Sequence, residues 1–457
     1  MSLPVCGAGT PACSRLSGGA IFAPCLALLC LAIAPCRAQN RDPLGQAAAG
    51  VSNSHALTLT FEQKGRYEIR TGTNFGSDPD IATGLIRTRV GLNFTPVSWL
   101  KLSGMAQDSR APWYGDNAPS NVRDPLDWHE GYIELFPGRR KGFGLNVGRM
   151  MLNYGEGRLI GTPQWGNLAR TYDQARIYWR SPRMRLEFLA VSPVKVRIGE
   201  FNHPVLGDRV WGAYNSFPNF YKAELLEFYV LRRDQNRPGG YTGGSSKDGT
   251  DKIGLNTYGF RLAGPLVGGV KYSLEAALQR GKVGPADLAA EAWFASLSRR
   301  WTLASRPLDI LVEYKFASGT ANPADPRRSA TFDQLYPANH DKFGHQDLFG
   351  WRNIHNARAQ ATFGLTKSLA INFMYDNFWL ANVKDGLYNL NGRQIVRSAT
   401  GTAGRHVGQE ADVFGTYRYR HFQFGAGYGH VFSGEFIHKT TPGIGPTYLY
   451  IFHTFTL

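Results

Sequence analysis

Residues 308–316 have the sequence LDILVEYKF, in which apolar and polar residues alternate. The apolar set is Leu308, Ile310, Val312, Tyr314 and Phe316, and the interleaved polar set includes Asp309, Glu313 and Lys315. Successive side chains of a β-strand point to opposite faces, so this stretch predicts a strand with one apolar face and one charged face.

The same alternation recurs along the chain, and no stretch after residue 40 keeps a helical period over three turns. Besides 308–316, the runs are 57–70, 85–94, 99–107, 128–136, 143–150, 174–181, 183–191, 222–232, 253–262, 270–279, 289–300, 351–363, 369–375, 411–420, 421–431 and 447–457. The segments between them, such as 192–221 and 318–350, are rich in turn formers. Allowing for one strand without clear alternation, we expect an all-β fold of 16–18 strands, with 18 the preferred number.

Alternating strands in a large chain are compatible with a soluble sandwich or propeller, or with a transmembrane barrel. The runs are long for soluble strands and suit a tilted membrane span. Aromatic residues lie near the run ends, as membrane interfaces require: Trp99, Trp113, Trp128, Tyr132, Trp179, Trp301, Trp351 and Trp379. The last run alternates up to Leu457, as in outer-membrane barrels, although their usual last residue is aromatic. We therefore predict a single transmembrane antiparallel β-barrel in the bacterial outer membrane.

The N-terminus has the layout of an export signal. An apolar run at 20–34 follows Arg15 and precedes a small-residue cleavage site ending at Ala38, which is the pattern of a secretory signal peptide. All 5 cysteines precede the cleavage point after Ala38, so the mature chain would contain none. We expect a cleaved signal peptide at 1–38, a short N-terminal segment at 39–54 and the barrel at 55–457.

Composition narrows the function classes. The 457 residues carry a formal net charge of +16, yet only 19% are charged and 13% are aromatic, which excludes a disordered chain. The basic residues are spread over the strands without Lys/Arg-rich runs, which argues against a nucleic-acid partner. If the apolar faces meet lipid, the opposite faces form a lumen in which arginine dominates, and such a lumen favours anions.

Signals for catalysis or a metal are weak. The mature chain contains none of the common nucleophile, phosphate-loop or zinc-protease motifs, so we expect no enzyme and no cofactor. His340, Asp341, His345 and Asp347 resemble a metal cluster within 318–350, but ordinary turn chemistry explains the abundance of Asp, Asn and Pro in this loop better. We therefore expect no metal site.

Several local strings are distinctive. They are RTRVGLNFTP at 87–96 leading into Trp99-Leu-Lys101, QDSR at 107–110, Gly148-Arg149, YGEGRLIG at 154–161, WGN at 165–167, RTYDQAR at 170–176, YKFASG at 314–319, Asn322-Pro323, TFDQLYP at 331–337 and the segment 340–354. With these strings the chain resembles the alginate export family of outer-membrane β-barrels. The resemblance implies an 18-stranded monomer with an electropositive pore that passively exports an anionic uronate polysaccharide, with loops gating the pore.

The resemblance and the lumen pattern together nominate the pore-lining residues. On matching positions the resemblance nominates Arg87, Arg89, Arg149, Arg158, Arg176 and Arg352, and the polar strand faces add Arg180, Lys271, Arg358 and Arg418. Arg149 shares the phase of the outward residues Leu145 and Val147, so either a bulge reverses the phase or Arg149 lies at the rim. The segment 318–350 is the candidate plug, because so long a stretch without strand pattern is usually functional or disordered.

We expect an export channel for an alginate-like polysaccharide, with outer-membrane lipid around it and periplasmic export machinery as a partner. The first alternative is an anion-selective diffusion porin for small solutes. A barrel enzyme and a soluble secreted β-protein are the remaining alternatives.

Overall fold

A computed structural model describes residues 57–117, 122–137, 141–236, 252–338 and 340–457. The expected signal peptide at 1–38 and the segment 39–54 lie outside the described residues. Twenty-two strands occur in the described chain, and 18 of them form one closed antiparallel barrel. Closure is achieved by β1 (Leu57–Thr71), which pairs with both β2 (Ile81–Val97) and β22 (Thr447–Thr456).

The barrel strands are long. They are β1 (Leu57–Thr71), β2 (Ile81–Val97), β3 (Leu100–Arg110), β4 (Asp124–Leu135), β5 (Gly142–Met150), β6 (Tyr172–Ser181), β7 (Met184–Lys195), β9 (Asp208–Pro218), β10 (Leu225–Gln235), β11 (Ile253–Pro265), β12 (Val270–Val283), β13 (Ala286–Leu303), β14 (Arg306–Ala317), β16 (Ile354–Gly364), β17 (Leu369–Leu380), β20 (His406–Tyr419), β21 (Phe422–Ser433) and β22 (Thr447–Thr456). Short strands lie in the loops: β8 (His203–Pro204), β15 (Arg328–Ser329), β18 (Gly386–Tyr388) and β19 (Gln394–Arg397). The one α-helix of the described residues, α1, spans Glu435–Thr440, and no described helix is long and apolar enough to cross a membrane.

The apolar strand faces point outward. In β14, Ile310 and Val312 are exposed, whereas Lys315 on the opposite face is fully buried. The same holds for β22, where Leu449 and Ile451 are exposed and Tyr450 is buried. This is the arrangement that a lipid-facing wall requires, and it confirms the predicted fold class.

The two ends of the barrel differ in their connections. Short turns such as 182–183, 304–305 and 420–421 lie at one end, together with the start of β1 and the C-terminus. The opposite end carries longer loops, above all 151–171, 318–353 and 381–405. Outer-membrane barrels have short periplasmic turns and longer extracellular loops, so the long-loop end faces outward from the cell.

The strand missed by the sequence analysis is β9, which lies in a segment expected to consist of turns. Its lumen-facing residues Val210 and Tyr214 are buried and its outward residue Trp211 is half exposed. Because both faces of β9 carry apolar residues, its polarity does not alternate. Trp351 corrects a second expectation: it is fully buried inside the lumen and does not belong to the interfacial aromatic residues.

Long loops fill the lumen at the extracellular end. Phe332, Tyr336 and Trp351 from the loop 318–353 join one hydrophobic core with wall residues such as Val210 and Leu231. The lumen therefore has two levels, an apolar level near the long loops and a charged level below it. This differs from the charged lumen that the alternating strands predict along the whole barrel.

Candidate functional site

Two loop segments occupy the lumen and are joined to each other. The first segment is 151–171 and the second is 318–353; together they are called the plug here. An isolated parallel bridge pairs Ile160 with Tyr336, and the backbone N–H of Gly161 donates to the carbonyl of Tyr336 at 2.9 Å. The N–H of Ala338 donates to the carbonyl of Gly157 at 2.8 Å. The two segments therefore form one hydrogen-bonded unit.

A cluster of four cations on β1 and β2 holds the first plug segment. Its members are Lys64, Arg66, Arg87 and Arg89, which alternate along the two paired strands and all face the lumen. We call them the β1–β2 basic cluster. Each is at most 6% exposed. Because a cation loses much hydration energy when it is buried without partners, these four side chains need acceptors inside the lumen.

The partners of this cluster are oxygen atoms of three consecutive plug residues. Lys64 Nζ donates to the carbonyls of Gln164 at 3.2 Å and Trp165 at 2.9 Å, and Arg66 donates to the carbonyl of Trp165 at 2.7 Å. Arg87 donates to the carbonyls of Gln164 at 3.2 Å and Gly166 at 2.9 Å. The side-chain oxygen of Gln164 accepts from Arg89 at 2.9 Å.

The indole of Trp165 completes this contact. Trp165 is fully buried, with the ammonium of Lys64 4.6 Å and the guanidinium of Arg66 4.3 Å from the ring centroid. Both cations are attracted to the electron-rich ring face. Nearby carboxylates moderate the positive charge: Glu62 pairs with Arg87 at 2.8 Å, and Glu68 pairs with Arg66 at 2.8 Å.

The second plug segment is fixed to the opposite wall by Arg233 of β10. Its fully buried guanidinium pairs with Asp333 of the plug at 2.9 Å and with Asp208 of β9 at 3.3 Å. The hydroxyl of Tyr336 also donates to the carboxylate of Asp208. Since a buried carboxylate needs a partner, each acid depends on Arg233 for compensation.

Below the plug, a charged cavity faces the short-turn end. Lys271, the second residue of β12 after a short turn, lines it together with Arg158, Arg261 and Arg358. Glu156 in the first plug segment pairs with Arg158 at 3.0 Å and Arg261 at 3.4 Å. Burial alone would raise the pKa of Glu156, but these arginines and Lys342 lower it to about 2. The carboxylate therefore stays ionised at neutral pH.

The predicted pore-lining residues fall into distinct groups. Arg87 and Arg89 lie together in the β1–β2 basic cluster, and Arg158, Lys271 and Arg358 lie together around the cavity. Arg176 lies on the lumen face of β6, 3.4 Å from Glu187. Arg180 and Arg418 share lumen phase near the short-turn end, where Arg180 donates to the carbonyl of Phe136 at 3.0 Å.

Two nominated residues lie elsewhere. Arg149 keeps the outward phase of β5 and pairs at the long-loop end with Asp173 at 2.7 Å. Within the described strand β5 no phase reversal turns it inward. Arg352 is buried among the loops, where it donates to the carbonyl of Gly392 at 3.1 Å and lies over the ring of Tyr388. Neither residue lines the open part of the lumen, because each is used to hold a loop.

Lys64 and Arg66 are not among the pore-lining residues predicted from the sequence, although both lie in the predicted strand 57–70. The alternation of Lys64, Arg66, Glu68 and Arg70 with Gly65, Tyr67 and Ile69 carries the necessary signal.

Comparisons with known proteins agree with this architecture. Residues 56–448 match the model of the family described as alginate export. No curated protein sequence matches the chain. Among solved structures, Pseudomonas aeruginosa OccK8 (OprE) is similar with a TM-score of 0.60 at 10% identity, covering 89% of this chain and 99% of that one.

Two further Pseudomonas aeruginosa structures are similar in fold. OccD3 (OpdP) has a TM-score of 0.59 at 12% identity, covering 90% of this chain and 93% of its own. OpdK, solved with vanillate, has a TM-score of 0.58 at 10% identity, covering 88% and 98%. At these identities the similarity shows the fold alone, that of an integral outer-membrane barrel.

Proposed function

Because the chain belongs to the alginate export family, we propose that this outer-membrane channel carries an anionic, uronate-type polysaccharide outward through a basic lumen. The transport is passive diffusion down a gradient and involves no catalysis. The channel acts as a monomer that receives the polymer from periplasmic export machinery.

One observation carries the proposal: the row of lumen cations binds a row of oxygen atoms along an extended chain, here the polypeptide of the plug. The β1–β2 basic cluster binds three consecutive peptide units of the plug and one flat indole ring. A polyuronate chain offers carboxylate and hydroxyl oxygens at a regular spacing, together with the apolar faces of its sugar rings. It could therefore take the place of residues 164–166 when the plug moves aside.

The acids beside the cluster suit release as well as binding. A channel must bind its cargo well enough to admit it and weakly enough to let it leave. Glu62 pairs with Arg87 and Arg89, and Glu68 pairs with Arg66, so a passing carboxylate competes with a resident one. Many weak contacts of this kind would allow a polymer to slide.

The cavity below the plug suits entry from the periplasm. Lys271 is the most accessible of the nominated cations around it, with 37% of its side chain exposed, and it is 3.7 Å from Glu224. Arg261 and Arg158 lie further in, next to Glu156. A polyanion from the short-turn side would meet these cations before it reached the β1–β2 basic cluster.

The second candidate function is diffusion of small anions. It is favoured by the fold shared with OpdK, whose structure was solved with the small carboxylate vanillate. The two functions differ in chain-length dependence: export predicts that block of ion current strengthens with polymer length as more cations engage, whereas small-anion diffusion predicts that a monomeric uronate blocks as well as a polymer.

Bilayer recording of the purified barrel tests the proposal. The zero-current potential under a salt gradient reports ion selectivity, and oligouronates of increasing length are then added to the short-turn side. We expect anion selectivity, and block that grows with length. The double variant Arg87→Gln/Arg89→Gln should lose most of the length dependence and part of the anion preference.

The matched control is Lys282→Gln/Arg327→Gln, which also removes two positive charges. These side chains lie at the long-loop end with 65% and 85% of their surface exposed. Cation selectivity of the wild type, or equal effects of the two double variants, would contradict the proposed role of the lumen.

A further inference from the structure

The second plug segment contains a compact group of metal-ligating side chains within one turn. His340, Asp341 and His345 each offer a ligand atom, and these three atoms all lie within 4.8 Å of one another. All three residues are buried. The Nδ1 of His345 is 3.6 Å from Oδ1 of Asp341, which is too long for a good hydrogen bond but close to the separation of two ligands on one ion.

The backbone of the turn is bent to bring these residues together. Asp341 has φ of 63° and Gly344 has φ of 84°, a left-handed region that Gly adopts freely and Asp tolerates. A side chain at position 344 would also collide with the carboxylate of Glu410 on β20. The chain can therefore reverse between His340 and His345 while lying against the barrel wall.

A second observation concerns the orientation of His340. Its Nδ1 contacts the carboxylate of Asp347, while its Nε2 is buried and has no hydrogen-bond partner in the described part of the chain. A metal-binding histidine almost always donates its other ring N–H to a carboxylate, a carbonyl or water, which fixes the tautomer and exposes the lone pair. Asp347 thus supplies the outer partner that such a ligand requires.

In His345 one ring nitrogen also has an outer partner while the other faces the cluster, but the roles of Nδ1 and Nε2 are exchanged relative to His340. Its Nε2 lies 2.9 Å from the hydroxyl of Tyr450 on β22, so Nδ1 is the nitrogen that faces Asp341. The ring of His340 also stacks on Trp165 with centroids 5.5 Å apart, so the turn contacts both plug segments.

We propose that His340 Nε2, His345 Nδ1 and the Asp341 carboxylate bind one divalent ion of the zinc class. Two imidazoles and a carboxylate are a common ligand set for Zn²⁺, with bonds of about 2.0–2.2 Å. Tetrahedral ligands at that distance lie roughly 3.3 Å apart, so the side chains need to rotate inward by about 1 Å or slightly more. The ion would tie the turn 340–345 together beside Trp165.

Zinc binding to the purified full-length barrel tests the site directly. The protein is stripped with a chelator, dialysed against Zn²⁺ alone, and its metal content is measured. We expect one equivalent in the wild type, and none above background in His340→Gln or His345→Gln. Asp347→Asn, which replaces the charged outer partner by a neutral amide, should weaken binding about 10- to 100-fold.

The control variant is His430→Gln. His430 is half-buried near Thr447, outside the cluster, and its loss should leave the stoichiometry unchanged. Folding of each variant is checked by its heat-dependent migration in gels. Because a folded variant is not guaranteed, Co²⁺ is also added to the wild type, where imidazole ligands should produce a visible spectrum distinct from that of aqueous Co²⁺. Absence of bound Zn²⁺ in the wild type, an aqueous Co²⁺ spectrum, or unchanged binding in both histidine variants would overturn the proposal.

Discussion

Replacing Trp165 with alanine should loosen the plug. The indole is fully buried, and besides the two cations on its face it meets the rings of Tyr450 and Phe452 edge-on at 5.0 and 5.2 Å. Removing a buried tryptophan costs about 3–5 kcal/mol. This cost falls on the docked plug, because the undocked loop leaves position 165 in water.

The size of the effect follows from this energy. Since each 1.4 kcal/mol is tenfold, the equilibrium between docked and undocked plug would shift roughly 100- to 4,000-fold. The backbone carbonyls of residues 164–166 are unchanged in the variant and keep their bonds to the β1–β2 basic cluster. We therefore expect a shift near 100-fold, at the lower end of the range.

Single-channel recording measures this shift as the frequency of opening events. The control is Trp293→Ala, which removes an equally large side chain from the outward face of β13, where it is 40% exposed. Trp165→Ala should open far more often than the wild type, and Trp293→Ala should not. An opening frequency that is unchanged in Trp165→Ala, or raised equally in the control, would refute the view that Trp165 holds the plug.

Three further changes test other parts of the structure. Arg233→Met removes the buried cation that Asp208 and Asp333 share and should destabilise the docked loop by about 3–5 kcal/mol. Limited proteolysis of folded barrels should then cut 318–353 faster, whereas the exposed Arg209→Met should change nothing. Lys271→Glu should slow the onset of polyuronate block from the short-turn side more than its release, because charges at a rim act mainly on association; an unchanged onset rate would argue against entry at this cavity. Gly212→Ala should lower the free energy of unfolding by about 1–3 kcal/mol, because Gly212 has φ of 148° and an added Cβ would collide with the carbonyl of Val230. Urea unfolding measures this change, and equal midpoints for variant and wild type would contradict the strain expected at position 212.

The strands could be predicted because a lipid-facing wall and a charged lumen impose opposite polarities on alternate residues. In β14, Val312 must face lipid while Glu313 faces the lumen, and the sequence shows this directly. The signal disappears where the plug fills the barrel. Val210 of β9 faces inward against plug residues, so its polarity resembles that of its outward neighbour Trp211, and the strand was missed.

The sequence predicts the plug less clearly than the strands. Its length and lack of alternation marked 318–350 as unusual, but nothing in composition showed that Phe332 and Trp351 are packed inside the lumen. Apolar residues in a loop are compatible with several positions, including the membrane interface expected for Trp351. Only the path of the chain through the closed barrel distinguishes these positions.

The partners of the lumen cations could not be predicted for a different reason. Strand phase is enough to place Arg87 and Lys64 inside, but each donates to plug backbone carbonyls that are distant in sequence. The separation is 101 positions for Lys64 and 79 for Arg87. Every residue has a carbonyl, so residue type carries no information about which ones are used. The same fact bears on transport: plug carbonyls and substrate oxygens are alternative acceptors for the same donors. In the export function proposed above, a polymer that enters the β1–β2 basic cluster must displace residues 164–166. The affinity of the plug for the cluster would then set the free energy that the cargo has to supply.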